Sequence, residues 1–106
     1  MTKAISIDTL LSRWVDCPSL SSVFVSELEL DSRRVKHGTT FVAIIGHVVD
    51  GRQFISTAIK QGANAVIAQA CDNKPHGTLE IVNDIPVVYI HALDQQLSEI
   101  AGMLYT

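Results

Sequence analysis

The feature that most limits how this chain can fold is a change of hydrophobic period near its middle. The unbroken apolar run "TFVAII", residues 40–45, gives way after "GHVVDG" to apolar side chains at Phe54, Ile55, Ala58 and Ile59. A run without polar interruption, rich in β-branched residues, suits a strand covered on both faces. Spacings of one, three and four suit an amphipathic helix, and Gly62 is a natural stop for it. A buried strand feeding a helix is half of a βαβ unit, so the predicted fold is α/β, with a small, mixed but mostly parallel sheet and short right-handed crossovers. "ANAVIAQA" and "PVVYI" supply two further strands, and "SELELDSRR" reads as a half-exposed strand, with Leu28 and Leu30 in alternation, running into a turn. Residues 6–14 predict a short helix capped by Ser6 or Asp8, with Ile5, Leu10, Leu11 and Trp14 on one face. "LDQQLSEIAGMLY" predicts a closing helix with Leu93, Leu97, Ile100, Ala101 and Leu104 inward. Between them, "CDNKPHGTLEIVNDI" reads as a polar connection with a turn at "KPHG", and Trp14 and Tyr89 are assigned to the core.

Length and charge narrow the function. A chain of 106 residues, 47% hydrophobic and 18% charged, suffices for one domain with its own core. The net charge of -3 and the lack of any Lys/Arg run argue against nucleic acid as a partner. Asp8 and Arg13 interrupt the opening residues, which leaves neither a signal-peptide core nor a membrane span, and a cytoplasmic location is expected. Cys17 and Cys71 belong to no C-x-x-C and read as two reduced thiols, while His37, His76 and His91 lack metal-ligand spacing and read as surface residues. No metal site is expected.

Two stretches carry chemistry. "GHVVDG", residues 46–51, lies between a central strand and a helix start, where free N–H groups and the helix dipole favour an anion. Gly46 and Gly51 permit close backbone approach, and His47 and Arg52 add donors suited to phosphate oxygens. The same residues also fit a plain strand-to-helix connection. Asp50 with Gln53 forms a D-x-x-Q capping box, which makes Asp50 mainly a helix cap, and Arg52 suits solvent or a structural ion pair. The loop nearly spells the G-x-x-x-x-G-K-[ST] phosphate loop, but Arg52 stands for the lysine and Gln53 for the Mg²⁺-binding hydroxyl, which argues against a triphosphatase. In "LELDSRR", Leu30 offers an apolar face to a flat base and Ser32 a hydroxyl to its polar edge; a solvated turn is the plainer alternative.

Taken together, "LDSRRVKHGTTFVAIIGHVVDGRQFISTAIKQGANAVIA", "IPVVYI" and "LSEIAGMLY" resemble the amino-terminal domain of the Mur ligases, most of all the MurE branch, which adds the third residue of the peptidoglycan stem peptide. The likeness covers nearly the whole chain. The MurF branch is the nearest competitor, but "DGR" where it commonly carries D-G-H, and the His after Gly46, favour MurE.

The resemblance implies a single UDP-sugar-binding domain over residues 1–106. Its ligand would be the UDP end of UDP-N-acetylmuramoyl-L-alanyl-D-glutamate. Positions matching Leu30 and Ser32 would meet the uracil, and His47, Val48 and Val49 would wrap the diphosphate. Similar ligases often carry Gln at the position of Val48, so only a backbone contact carries over there. The resemblance also implies a three-domain parent, an ATP-dependent ligase with ATP and Mg²⁺ in its middle domain and the incoming amino acid in its last. No G-T-N-G-K-T follows "GMLYT", so the chain is expected to be a fragment with no catalytic residue and no cofactor of its own. Diaminopimelate is favoured over lysine as the added residue. A stand-alone α/β interaction module is the alternative of a different class.

Overall fold

A computed structural model of the chain describes residues 4–46 and 48–105. The first elements are β1 (Ile5–Ser6), α1 (Ile7–Leu10) and β2 (Phe24–Val25), followed by β3 (Leu28–Glu29) and β4 (Thr40–Ala43). Then come α2 (Ile55–Lys60), β5 (Ala65–Gln69), β6 (Leu79–Val82), β7 (Ile85–Ile90) and α3 (Leu93–Tyr105). The main sheet has five strands in the order β3-β4-β5-β7-β6; its first three pairings are parallel and the last is antiparallel. The expected α/β class, with a mixed, mostly parallel sheet, is what forms.

β4 is buried at all four positions, and its side chains feed two cores. Val42 joins Ile67, Val88, Ile90, Leu93, Ile100 and Leu104 on the face covered by α1 and α3. Phe41 and Ala43 join Val66, Val87, Tyr89 and Ala58 on the face covered by α2. The radius of gyration, 12.3 Å, is close to the value of about 13 Å usual for a compact chain of this length.

α3 runs over the residues its periodicity predicts, with Leu93, Ile100 and Leu104 buried and Leu97 packed against the same core. The opening helix is shorter than the expected 6–14: Ser6 caps it by accepting from Thr9 N–H, but only Ile7–Leu10 is helical. Ile5, read as part of its apolar face, instead pairs in register with Val25 in a two-stranded antiparallel ribbon. The stretch read as a polar connection, 71–85, also needs correction, because Leu79–Val82 is an edge strand antiparallel to β7. Asn83 and Asp84 both have positive φ, 50° and 68°, which is the geometry of a type I′ hairpin turn.

Gly62 ends α2 at φ 110°, and a Cβ built there would lie 2.7 Å from the His37 Cα. Gly62→Ala is therefore expected to destabilise the fold by at least about 2 kcal/mol, from the unfavourable dihedral together with a backbone clash. Urea unfolding of the two proteins side by side measures this.

Candidate functional site

A cleft of about 600 Å³ opens where the chain leaves β3 and β4; it is lined by Leu30, Asp31, Ser32 and Arg33 on one rim and by Ile44, Gly46, Val49, Gly51 and Phe54 on the other. The structure thus brings three of the sequence-predicted residues, Leu30, Ser32 and Val49, to one cavity. Val48 is 95% exposed and does not line it. His47 lies outside the described residues.

The first rim is a tight turn. Glu29 accepts from Leu30 and Asp31 N–H, both at 3.1 Å, and Asp31 caps the 3-10 turn Ser32–Arg34 by accepting from Arg33 N–H at 3.0 Å. Leu30 is 44% exposed, so its side chain remains open to a ligand. Ser32 is only 7% exposed although it lines the cleft, and its hydroxyl has no hydrogen-bonding partner among the described residues. No buried side-chain nitrogen or oxygen among the described residues lacks a partner, so the Ser32 hydroxyl keeps an opening onto the cleft, where it can meet a polar ligand atom. The Ser32 carbonyl, by contrast, accepts from Gln61 Nε2.

The second rim spends most of its donors on itself. Gly46 N–H donates to Val49 O at 3.0 Å and Gly51 N–H to Ile44 O at 2.8 Å, so the loop closes as a small hairpin. A Cβ at Gly46 would lie 2.9 Å from Val49 O, and one at Gly51 2.9 Å from Ile44 O. The two glycines therefore serve close approach of backbone to backbone. Asp50 takes Arg52 N–H at 3.0 Å on its side chain and Gln53 N–H at 3.1 Å on its carbonyl. The cap is real, but it is completed at Arg52, and a 3-10 turn, Gly51–Phe54, precedes α2. The open cradle of helix-start amides expected from the sequence does not form. The amides of Val48, Val49 and Asp50 have no hydrogen-bonding partner among the described residues.

Arg52 is held in a forked ion pair with Asp50, with Nη2 to Oδ2 at 2.6 Å and Nε to Oδ1 at 2.9 Å. The two side chains are 24% and 26% exposed. The pair holds the Asp50 carboxyl below its ordinary range and raises the Arg52 guanidinium well above its own. Arg52 faces a different cavity, with Cys71, Lys74 and Tyr89, so the ion-pair reading of its role fits and the phosphate reading does not. In that cavity Lys74 pairs with Glu80, which also accepts from Tyr89 Oη at 2.9 Å. Burial, helped by Glu80, pushes the Tyr89 phenol up to about 12. On the first rim Arg33 is likewise paired, to Asp31, whose carboxyl it lowers to about 2.

Sequence reasoning missed Phe54 and Ile44 as walls and Gln61 and Gln69 as supports. Gln69 was discoverable as the polar residue that ends an otherwise apolar strand; its Oε1 accepts Ile45 N–H at 2.9 Å. His76, read as a plain surface residue, is exposed but also ties two segments, with Nε2 2.7 Å from Trp14 O while Nδ1 accepts His91 N–H at 2.9 Å. Cys17 and Cys71 are free thiols, and no group of three or more His, Cys, Asp and Glu among the described residues could hold a metal ion. No helix among those residues is long and apolar enough to cross a membrane.

Residues 25–104 match the family model described as "Mur ligase family, catalytic domain". The chain is 76% identical, over its full length, to the UDP-N-acetylmuramoyl-L-alanyl-D-glutamate--2,6-diaminopimelate ligase of Vibrio parahaemolyticus, and 53% identical over 105 residues to that of Vibrio vulnificus. It spans 22% and 21% of the length of these curated relatives. Among solved structures it is similar to MurF from Acinetobacter baumannii, at a TM-score of 0.70 over 93% of this chain and 20% of that one, with 14% identity. It is also similar to MurF ligase from Thermotoga maritima in complex with ADP, at a TM-score of 0.54 over 71% of this chain and 16% of that one, with 29% identity.

The ion pair sets a pH dependence. Because the folded carboxyl of Asp50 titrates below its unfolded value of about 3.9, the pair's contribution is complete above that pH and is lost as pH falls through the lowered folded value. We expect the Asp50 ¹³Cγ resonance to titrate below pH 3.9 and, in Arg52→Gln, to move back up toward it.

Proposed function

Because this chain belongs to the Mur ligase family, we propose that it is the UDP-binding domain of an ATP-dependent amide ligase of the MurE branch. That ligase adds meso-diaminopimelate to UDP-N-acetylmuramoyl-L-alanyl-D-glutamate in cytoplasmic peptidoglycan synthesis. The identity of 76% to a ligase named for that reaction supports the branch, while the likeness to MurF at 14% identity speaks for the fold alone.

One observation carries the binding role: the hydroxyl of Ser32, unpartnered among the described residues and open to the cleft, shares it with the apolar side chains of Leu30, Val49 and Phe54. An apolar slot with one fixed polar group suits a flat heterocycle with a hydrogen-bonding edge, and uracil is such a ring. The amides of Val48 to Asp50, which have no partner among the described residues, suit the diphosphate. His47 keeps the diphosphate role that the resemblance gives it.

In this reading the chain holds and orients the nucleotide-sugar, and the reaction proceeds elsewhere in the ligase. There the γ-carboxylate of the D-glutamate is phosphorylated, and the amine of the incoming amino acid displaces phosphate to form the amide. ATP and Mg²⁺ belong to that part of the protein. The residues here do not suit them: Arg52 is committed to Asp50, and Gln53 offers no hydroxyl to a metal.

Titrating UDP into the ¹⁵N-labelled chain should shift the amides of Ser32 and of Val48 to Gly51 while leaving α3 unmoved. Ser32→Ala should weaken UDP about tenfold, the worth of one hydrogen bond to a buried polar group. An absence of localised shifts at millimolar UDP would mark the chain as a bare interaction scaffold.

A further inference from the structure

Each rim of the cleft is tied back to the framework by one glutamine side chain. The β4–β5 ladder ends at the pair Ala43–Ala68. Beyond it, Ile45 N–H donates to the side chain of Gln69 at 2.9 Å, while the Gln69 backbone stays paired with Ile90 in β7. The side-chain amide thus adds one rung to the ladder at the point where β4 departs from the sheet. The loop then closes through Gly46 to Val49 and Gly51 to Ile44, so Val49 hangs from the rung that Gln69 supplies. On the opposite rim, Gln61 Nε2 donates to the Ser32 carbonyl, and Gln61 is itself fixed at the end of α2 by its N–H to Thr57 O and Ala58 O, each at 3.1 Å. α2 grows out of the 3-10 turn Gly51–Phe54 of the second rim, so Gln61 links the two rims.

We infer that Gln61 and Gln69 are positioning residues that set the separation of the two rims and hence the fit of the ligand; the ligand part of this inference rests on the uridine diphosphate reading. Their chemistry differs. Ile45 N–H can only donate, so Gln69 must accept; the Ser32 carbonyl can only accept, so Gln61 must donate. Glutamate keeps an acceptor and loses the amide donor. The same substitution therefore preserves one tie and breaks the other.

The test uses Gln69→Met, Gln69→Glu, Gln61→Met and Gln61→Glu, methionine keeping the length of the side chain without a comparable hydrogen bond. UDP affinity and Ile45 amide exchange are measured in each. Gln69→Met is expected to weaken UDP about fivefold to tenfold and to speed Ile45 exchange, and Gln69→Glu to stay within about twofold of the parent in both. Gln61→Met and Gln61→Glu should weaken UDP alike, with the Ser32 carbonyl ¹³C resonance shifted in both. Equal behaviour of Gln69→Met and Gln69→Glu, or an unshifted Ser32 carbonyl in Gln61→Glu, overturns the inference. If the parent chain takes up no UDP, the ligand reading fails, and Ile45 exchange and the Ser32 carbonyl still decide the positioning roles without it.

Discussion

Burial of β4 on both faces is the constraint from which the rest of the domain follows. Phe41 and Ala43 point into one core and Val42 into the other, and Thr40, also fully buried, passes its hydroxyl hydrogen to Asn64 Oδ1 at 2.8 Å. A shift of one residue would exchange the two sets of side chains and place Thr40 among groups that cannot bond it. The register is therefore pinned, and so is the point where Ile44 emerges from the sheet. β3 contributes only two ladder pairs, Leu28–Thr40 and Glu29–Phe41, but with β4 fixed they suffice to place Leu30 to Ser32 beside that exit.

The charges around the cleft are arranged so that they do little selecting. Arg33 and Arg52, the cations nearest the two rims, are each paired with an Asp two residues before them. The two pairs differ in what it costs to break them. The Arg33 side chain is 86% exposed, and an exposed pair exchanges partners at small cost. The Arg52 pair is mostly covered and also caps a helix start, so a phosphate competing for Arg52 would have to undo the cap. On the proposed reading, selection is left to shape, to the Ser32 hydroxyl, to His47 and to the loop amides that have no partner among the described residues.

The parts of this arrangement that were legible in the sequence are those written in side-chain period. Apolar spacing located α3 to the residue, and the continuous apolar runs gave β4, β5 and β7. β6 was missed because its alternation of Leu79 and Ile81 sits among polar residues on an edge, where both side chains stay exposed; the better signal was Asn83-Asp84, a pair suited to a two-residue hairpin turn. Ile5 was misplaced because two residues of strand are too short for any period to show. At the cleft, the meeting of Leu30, Ser32 and Val49 was legible from the resemblance and from their positions after strands. The fate of each backbone N–H was not, since an amide carries the same letter whether it meets a ligand, a carbonyl or the side chain of Gln69.

That last point bears on how the loop works. The described residues between Ile44 and Gly51 close through two backbone bonds and two contacts that leave no room for a Cβ, and Asp50 holds the amides of Arg52 and Gln53. Those bonds form without a ligand, so on the proposed reading part of the ordering cost that weakens many loop-built sites has already been met in folding. Ser32 is nearly buried as a residue, but its hydroxyl, unpartnered among the described residues, stays open to the cleft. On the proposed reading, a hydroxyl left without a protein partner among the described residues and set beside apolar walls is what a flat ring with one polar edge requires.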